Sequence, residues 1–145
     1  MTATETTIDW DRLTAAARRA RQGAYAPHSG YRVGAAVLTA DGRVHTGANV
    51  ENGLLGLSIC AERVAVAAAV NAGQREFRAL AVATESDPPA SPCGVCRQTL
   101  VEFTRDLPVV CVNEAGGRHE TSLAELLPQA FRLEEARPEG GGGTA

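Results

Sequence analysis

Apolar residues follow a helical period near the N-terminus and a strand period further along the chain. The segment WDRLTAAARRARQG follows a plausible N-cap at Asp9, spaces its apolar residues as one face of a helix and ends near Gly23. The run YRVGAAVLTADGRVHTGANV has two β-prone stretches on either side of Asp41-Gly42, a dipeptide typical of tight hairpins. The N-terminal part of the chain therefore predicts one helix followed by two antiparallel strands.

Helices and strands keep alternating through the rest of the sequence. The alanine-rich stretch ICAERVAVAAAVNAG predicts a buried helix over residues 60–71, closed by Gly73. The following segments predict, in order, a strand (RALAVATES), a proline-broken loop (ESDPPASP), a helix (CGVCRQTLVEFTRD), a strand (PVVCVNE), a short strand near residues 118–120 and a last helix (TSLAELLPQAF). Because a hairpin stands among strands that alternate with helices, this order predicts an α/β layered domain with a mixed sheet.

The length of 145 residues suits a single domain with one core. We expect residues 1–133 to form that domain and residues 134–145, with their run of glycines, to be a flexible tail. No apolar run approaches the roughly 20 residues of a membrane-spanning helix, so no membrane contact is expected. The N-terminus lacks the basic and apolar regions of a secretory signal, which predicts a cytoplasmic protein.

The charge distribution argues against a nucleic-acid polymer as the partner. The formal net charge is −3, from 17 acidic and 14 basic residues spread along the chain, and there is no basic stripe to attract a phosphate backbone. The cluster of Arg18, Arg19 and Arg21 falls on the predicted first helix, where we expect it to be a solvated face.

Three of the four cysteines lie in two short motifs. ICAER contains Cys60 and, two residues later, Glu62, whereas SPCGVCRQ contains the C-x-x-C pair Cys93 and Cys96. Cysteines in a chain with no export signal favour metal or catalytic chemistry over a disulfide framework. Three thiolates without an obvious fourth ligand are typical of a catalytic zinc site, which keeps one tetrahedral position for water.

Two other interpretations of these cysteines stay open at this point. A thioredoxin-like redox pair would explain the C-x-x-C motif but would leave Cys60 and Glu62 without a role. A closed structural zinc module would need a fourth ligand, and Cys111 is a poor candidate because it lies in the apolar run PVVCVNE, where a cysteine is usually a core residue. The histidines are isolated in loop or hairpin segments and are expected at the surface: His28, His45 and His119.

Electrostatics suggest roles for the residues beside the cysteines. A zinc ion has two positive charges against the three negative charges of the thiolates, so the centre needs positive partners before it can acidify water. Two helix N-termini supply partial positive charge, and Arg63 and Arg97 are expected to hydrogen-bond to the sulfurs. Glu62 can then take a proton from water and pass it to a substrate, which is general acid–base catalysis.

A metal ligand, a spacer residue, a glutamate and a downstream P-C-x-x-C form the signature of the zinc-dependent nucleoside and base deaminases. With GYRVGAAVLTADGRVHTGANVEN upstream and a cysteine as the first ligand, the chain resembles the small cytidine deaminases over residues 9–131. The resemblance implies a three-layer α-β-α fold with a five-stranded mixed sheet, one zinc ion per subunit and a homotetramer. It also implies hydrolytic deamination of cytidine and 2′-deoxycytidine to the uridines in pyrimidine salvage, with water attacking C4 of cytosine and Glu62 moving the protons.

The same resemblance implies which residues contact the substrate. Asn49 and Glu51 correspond to residues that hold the ribose hydroxyls on the 3′ side, and the backbone of Ala61 corresponds to a group that contacts the base. Tyr31 stands where the family usually has a phenylalanine that lines the base pocket. Phe131 matches a phenylalanine that reaches a neighbouring subunit's site.

The sequence departs from the family's pattern at N-G-L-L-G, residues 52–56. Relatives commonly have a tyrosine at the position of Leu55, near the 5′-hydroxyl of a substrate in an adjacent subunit, and leucine cannot donate that hydrogen bond. His28 also stands where relatives often have a tyrosine. We therefore expect an altered sugar preference. A deaminase of a modified cytosine nucleoside, such as blasticidin S or an N4-substituted cytidine, is the alternative function.

Overall fold

The computed structural model describes residues 7–137, in which helices and strands alternate as the sequence pattern predicts. The helices are α1 (Trp10–Arg21), α2 (Ala61–Asn71), α3 (Gly94–Val101), α4 (Leu123–Leu126) and α5 (Leu133–Ala136). The strands are β1 (Gly34–Thr39), β2 (Val44–Ala48), β3 (Phe77–Ala83), β4 (Pro108–Val112) and β5 (Arg118–Ser122), and a 3-10 turn covers Leu55–Leu57. Within residues 7–137, no helix combines the length and the apolar character needed to cross a bilayer.

The five strands form one mixed sheet in the order β2-β1-β3-β4-β5. Strand β1 pairs antiparallel with both β2 and β3, β3 pairs parallel with β4, and β4 pairs antiparallel with β5. Strands β2, β3 and β4 therefore run in the same direction. Because α2 follows β2 and α3 follows β3, both helices begin at the same edge of the sheet, where these strands end.

Helices cover both faces of the sheet. On one face, Leu13 of α1 belongs to a buried cluster with Ala36 and Leu38 of β1. On the other face, Ala35 and Val37 of β1 share a cluster with buried residues of α2, α3 and α4. Alternate residues of a strand point to opposite faces, so β1 is buried along its whole length. The predicted three-layer α-β-α architecture with a five-stranded mixed sheet is confirmed.

The C-terminal part differs from the single helix predicted over TSLAELLPQAF. Helix α4 has four residues: it begins where the Ser122 hydroxyl accepts from the Glu125 N–H at 3.2 Å, and it stops before Pro128. Proline lacks an N–H and its ring clashes with the preceding helical turn, so the apolar spacing cannot continue as a helix through this point. Helix α3 is also shorter than predicted, since it ends at Val101.

The chain folds again beyond Phe131. Residues Leu133–Ala136 form the short helix α5, and Glu135 makes an ion pair with Arg105 at 3.0 Å. The first residues of the predicted tail therefore adopt helical structure. Residues 138–145 lie outside the described part of the chain, so the boundary between domain and tail stays a prediction.

The arginine cluster on α1 is only partly a solvated face. Arg18 and Arg19 are exposed, whereas the Arg21 side chain is 13% exposed. Its guanidinium donates to the Arg32 carbonyl at 2.9 Å and forms ion pairs with Glu85, at 3.5 Å, and with Glu114. Arg21 thus ties the end of α1 to the segment that leads into β1.

Gly47 sets how closely α2 packs on β2. A Cβ atom at this position would lie 2.4 Å from the Ala65 nitrogen, 2.6 Å from the Ala61 oxygen and 2.8 Å from the Val64 Cβ. Two of these atoms belong to the backbone of α2 and cannot swing away. The missing side chain therefore lets the helix that carries Glu62 lie directly on the sheet.

We predict that Gly47→Ala lowers the free energy of unfolding by about 1–3 kcal/mol, the usual cost of overpacking a filled interior. Chemical denaturation of the purified protein measures the change. Gly56→Ala is the matched control, because a Cβ there would meet no atom within 4 Å. Equal unfolding free energies for the two variants would contradict the close packing inferred at Gly47.

Candidate metal centre and substrate cavity

Two helix N-termini bring the three motif cysteines together. Cys60 is the N-cap residue of α2, Cys93 is the N-cap residue of α3, and Cys96 lies in the first turn of α3. The Cys60 and Cys93 sulfurs are 3.6 Å apart, and those of Cys93 and Cys96 are 3.4 Å apart. All three sulfurs lie within 4.8 Å of one another, although Cys60 and Cys93 are distant in sequence.

This sulfur arrangement fits a zinc ion. A tetrahedral zinc with Zn–S distances of about 2.3 Å places neighbouring thiolates about 3.8 Å apart. The two measured separations, 3.4 and 3.6 Å, need only a small expansion to reach that value. The cluster supplies three soft ligands, so a tetrahedral ion held by it has a fourth position for a further ligand.

The surroundings of Cys60 favour the thiolate, which is the metal-binding form. Hydrogen bonding with Cys96 and Cys93, together with the charge and hydrogen bond of Arg63, lowers the pKa of Cys60 to about 6 against the opposing effect of burial. The bond with Cys60 and burial raise the pKa of Cys96 above its ordinary value. Arg63 follows Cys60 by three residues and lies on the same side of the first turn of α2, so its positive charge stabilises the Cys60 thiolate.

Glu62 lies beside the sulfurs and inside the protein. Its side chain is on the first turn of α2, the residue is 5% exposed, and its Oε2 accepts from the Cys96 sulfur at 3.5 Å. Burial raises the pKa of the Glu62 carboxyl, and the nearby charge of Cys60 raises it further. A raised pKa makes this carboxylate a stronger proton acceptor than a fully solvated one, which suits it to carrying a proton.

Arg97 does not take the predicted position against a ligand sulfur. Its Nε donates to the Pro92 carbonyl at 2.7 Å, its Nη1 to the Leu126 carbonyl at 2.8 Å and its Nη2 to the Ser91 hydroxyl at 2.9 Å. The guanidinium therefore fixes the residues just before Cys93 and joins them to the end of α4.

A cavity of about 270 Å³ opens beside the metal cluster. Its lining includes predicted site residues from four segments of the chain: Tyr31, Asn49, Glu51, Cys60, Ala61, Glu62 and Cys93. Because Cys60, Cys93 and Glu62 border the same space, a small molecule in the cavity would reach both the acid and an ion held by the cysteines.

The amide of Asn49 is held at the cavity wall. Its Oδ1 accepts from the Val33 N–H at 2.8 Å and its Nδ2 donates to the Tyr31 carbonyl at 2.8 Å. These two bonds hold residues 31–33, just before β1, against the residue that follows β2. An amide has further acceptor and donor capacity beyond these two bonds, so its edge can still bind a ligand.

The Glu51 carboxylate is fixed by the loop that precedes β1. It accepts from the His28 N–H at 2.9 Å, from the Ser29 N–H at 3.1 Å and from the Ser29 hydroxyl. These hydrogen bonds, with that of the Ser29 hydroxyl the largest contribution, lower the pKa of Glu51. The side chain is therefore a charged acceptor at neutral pH.

The structure adds cavity residues that the sequence motifs did not indicate. They are Val33, Ser58, Ile59, Val82, Thr84, Ala90 and Ser91. Thr84 is 2% exposed, and its hydroxyl accepts from the Ser86 and Ala90 N–H groups, both at 3.3 Å. The sequence could have indicated Thr84 by its position, directly after a buried strand that leads to the loop of Cys93. Ligand sites of α/β sheets lie beyond the carboxyl ends of strands.

Comparison with known proteins agrees with this geometry. Residues 8–112 match the family described as the cytidine and deoxycytidylate deaminase zinc-binding region. The chain belongs to this deaminase family. Membership confirms the family resemblance of the two cysteine motifs and accounts for a zinc-binding cluster beside a buried glutamate.

The chain matches curated members of this deaminase family over most of their length. The cytidine deaminase of Sporosarcina psychrophila is 44% identical over 129 residues, which is 88% of this chain and 95% of that protein. The probable cytidine deaminase of Dictyostelium discoideum is 45% identical over 121 residues, covering 83% of this chain and 82% of that protein. Both are named for cytidine, so they do not favour the alternative of a modified cytosine nucleoside.

Solved structures show the same fold. The cytidine deaminase of Burkholderia pseudomallei superposes with a TM-score of 0.83 at 47% identity, covering 86% of this chain and 100% of that one. The cytidine deaminase of Mycobacterium tuberculosis gives a TM-score of 0.76 at 40% identity, covering 88% of this chain and 100% of that one.

Three residues singled out by the family resemblance, Phe131, Leu55 and His28, are not part of the cavity lining in the described chain. Phe131 is 61% exposed, and its carbonyl accepts from the Gln98 side chain at 2.8 Å. Leu55, in the 3-10 turn, is 73% exposed. The His28 backbone N–H donates to the Glu51 carboxylate, and His28 is also exposed.

Cys111 stays apart from the three-cysteine cluster. It is buried in the core beneath α2 and α3, and burial raises its pKa to about 12. The sulfurs close enough together to share an ion in the described chain are those of Cys60, Cys93 and Cys96, and Cys111 is not among them.

We predict that Cys96→Ser lowers zinc affinity at least about 100-fold, more than the loss typical of residues that only support a ligand. Zinc bound to the purified full chain, measured by mass spectrometry against competing chelators, gives the affinity. Cys111→Ala is the control and should keep its zinc. A similar zinc loss in the Cys111 variant would point to a closed four-cysteine site.

Proposed function

We propose that this protein is a zinc-dependent cytidine deaminase, which hydrolyses cytidine and 2′-deoxycytidine to uridine and 2′-deoxyuridine and releases ammonia. The observation that carries the proposal is the position of Glu62. A buried carboxyl with a raised pKa lies 3.5 Å from a metal-binding sulfur and borders the cavity beside the cluster. Neither a redox pair nor a structural zinc module requires such an acid.

The residues of the chain divide the chemistry between them. Cys60, Cys93 and Cys96 would hold the zinc ion, which when bound supplies the Lewis acidity that makes water a nucleophile near neutral pH. Glu62 takes a proton from the water that attacks C4 of cytosine and gives it to ring N3. It then transfers the second water proton to the departing amine, so that one water and one cytidine become one uridine and one ammonia.

The cavity wall orients the nucleoside. The Ala61 N–H stands at the start of α2, where helical N–H groups lack a partner in their own helix, and it is proposed to bind the base. Tyr31 is proposed to lie against the ring of the base, and Asn49 with Glu51 to bind the 3′ side of the ribose. A cavity of about 270 Å³ suits a small nucleoside better than a polymer strand.

We propose that active protein is a homotetramer. Exposed large apolar side chains of the described residues include Leu54 at 69%, Leu55 at 73%, Leu57 at 60%, Val95 at 58%, Phe131 at 61% and Leu133 at 56% exposure. Large exposed apolar patches typically mark contact surfaces between proteins. In such an assembly Phe131 would reach the cavity of a neighbouring subunit.

We also propose a cytoplasmic role in pyrimidine salvage. The proposal is supported by the free thiols of Cys60, Cys93, Cys96 and Cys111, because thiols persist in reducing compartments and become disulfides in oxidising ones. A salvage reaction is the natural place for an enzyme whose substrate is a free nucleoside.

We predict that Glu62→Gln lowers kcat for cytidine at least about 100-fold, because the amide cannot carry the proton. The absorbance change on loss of the exocyclic amine measures turnover, and metal analysis of the same sample should show unchanged zinc. The exposed Glu76→Gln is the matched control. Full activity of the Glu62 variant would exclude the proposed proton transfer.

We predict that the protein turns over cytidine and 5′-deoxycytidine with kcat/KM values within about threefold of each other, since Leu55 cannot hydrogen-bond to the 5′-hydroxyl. Leu55→Tyr should create a preference for cytidine of about tenfold. Leu57→Tyr, in the same turn and 60% exposed, should leave the ratio unchanged. A large loss of activity with 5′-deoxycytidine in the unmodified protein would refute the missing contact.

A further inference from the structure

The loop between α1 and β1 is attached to the end of β2 beside the cavity. The Tyr25 N–H donates to the Asn49 carbonyl at 2.9 Å, and the Glu51 N–H donates to the Tyr25 carbonyl at 2.8 Å. Within the loop, the Gly30 N–H donates to the Ala26 carbonyl at 2.9 Å, and Gly30 has a positive φ of 70°. This tight turn places Ser29 directly over the Glu51 side chain.

Ser29 joins both sides of this junction. Its hydroxyl donates to Oε2 of Glu51 and accepts from the Tyr31 N–H at 3.0 Å. The Ser29 N–H also donates to Oε1 of Glu51, at 3.1 Å, beside the His28 N–H at 2.9 Å. Both oxygens of the carboxylate are thus held by the loop, and the plane of the carboxylate is fixed.

The number of acceptor positions on Glu51 limits what else it can bind. A carboxylate offers about four lone-pair positions, and the loop occupies three of them, two on Oε1 and one on Oε2. The remaining position is on Oε2, the oxygen that the Ser29 hydroxyl holds. Since Glu51 lines the cavity, this position is the one available to a hydroxyl of a molecule bound there.

We propose that Ser29 is a positioning residue for the sugar of the substrate: its hydroxyl fixes Oε2 of Glu51 so that this oxygen accepts from the 3′-hydroxyl of the ribose. The inference rests on the proposed function, which supplies the nucleoside. Ser29 does not contact the reacting atoms of the base, so its effect is on substrate binding and not on the chemical step.

His28 provides a matched control within the same loop. It contributes only a backbone N–H to Glu51, and its side chain is exposed. Replacing the His28 side chain keeps that N–H, whereas replacing Ser29 by alanine removes the hydroxyl that holds Oε2. The two changes are adjacent in sequence, and only the change at Ser29 removes the hydroxyl that bonds to Glu51 and to the Tyr31 N–H.

The test compares cytidine with 3′-deoxycytidine, which lacks the hydroxyl in question, using the zinc-loaded full-length protein. For Ser29→Ala we expect kcat/KM for cytidine to fall about tenfold, mainly through a higher KM, and kcat/KM for 3′-deoxycytidine to stay within about twofold. Ser29→Thr, which keeps the hydroxyl, and His28→Ala should behave as the unmodified protein with both substrates.

The alternative outcomes separate the inferences. If Ser29→Ala loses the same factor with both substrates, or with neither, Ser29 does not position the sugar contact, although the unmodified protein still deaminates cytidine. If the unmodified protein does not turn over cytidine at all, the proposed function fails and this inference fails with it. Should the alanine variant not fold, Ser29→Cys, a weaker donor of similar shape, must show an intermediate loss confined to cytidine.

Discussion

The site depends on two helices that begin at the same edge of the sheet. Strands β2 and β3 both run antiparallel to β1, so they share a direction, and α2 and α3 start where these strands end. Cys60 and Cys93 are the N-cap residues of those helices, which is why their sulfurs lie 3.6 Å apart although the two cysteines are 33 positions apart in sequence. The segment before β1 ends at the same edge and completes the cavity with Tyr31.

The two helix N-termini that meet at the site also offset the repulsion among its negative groups. Three thiolates outweigh the charge of one zinc ion, and Glu62 is a buried acid beside them. The N–H groups at the starts of α2 and α3 and the Arg63 side chain oppose this excess, the latter by lowering the pKa of Cys60. Burial raises the pKa of Glu62, which makes this carboxylate a stronger proton acceptor than a fully solvated one.

The sequence predicted the elements and metal cluster better than the contacts that depend on distant segments. β-prone and apolar runs located β1 to β4, and a short strand was expected where β5 lies. The C-x-E and P-C-x-x-C spacing indicated the three cysteines that the structure brings together. The pattern over TSLAELLPQAF was misleading because apolar spacing continues across Pro128, where a helix cannot. Arg97 was misplaced because sequence could not show that the Leu126 carbonyl, 29 residues further on, competes for its guanidinium.

Hydrogen bonds at both ends of the loop from β3 to Cys93 fix the position of a metal ligand. The loop from β3 to Cys93 is held at Ser86 by the Tyr31 hydroxyl and by the Asn113 side chain, which donates to the Ser86 carbonyl at 2.9 Å. It is held again at Pro92 by Arg97. A tyrosine at residue 31 thus offers both a ring for the cavity wall and a hydroxyl that fixes the loop leading to Cys93. Because Cys93 is already held in place before the substrate binds, no free energy is lost in ordering it during the reaction. Such preorganisation lowers the activation free energy.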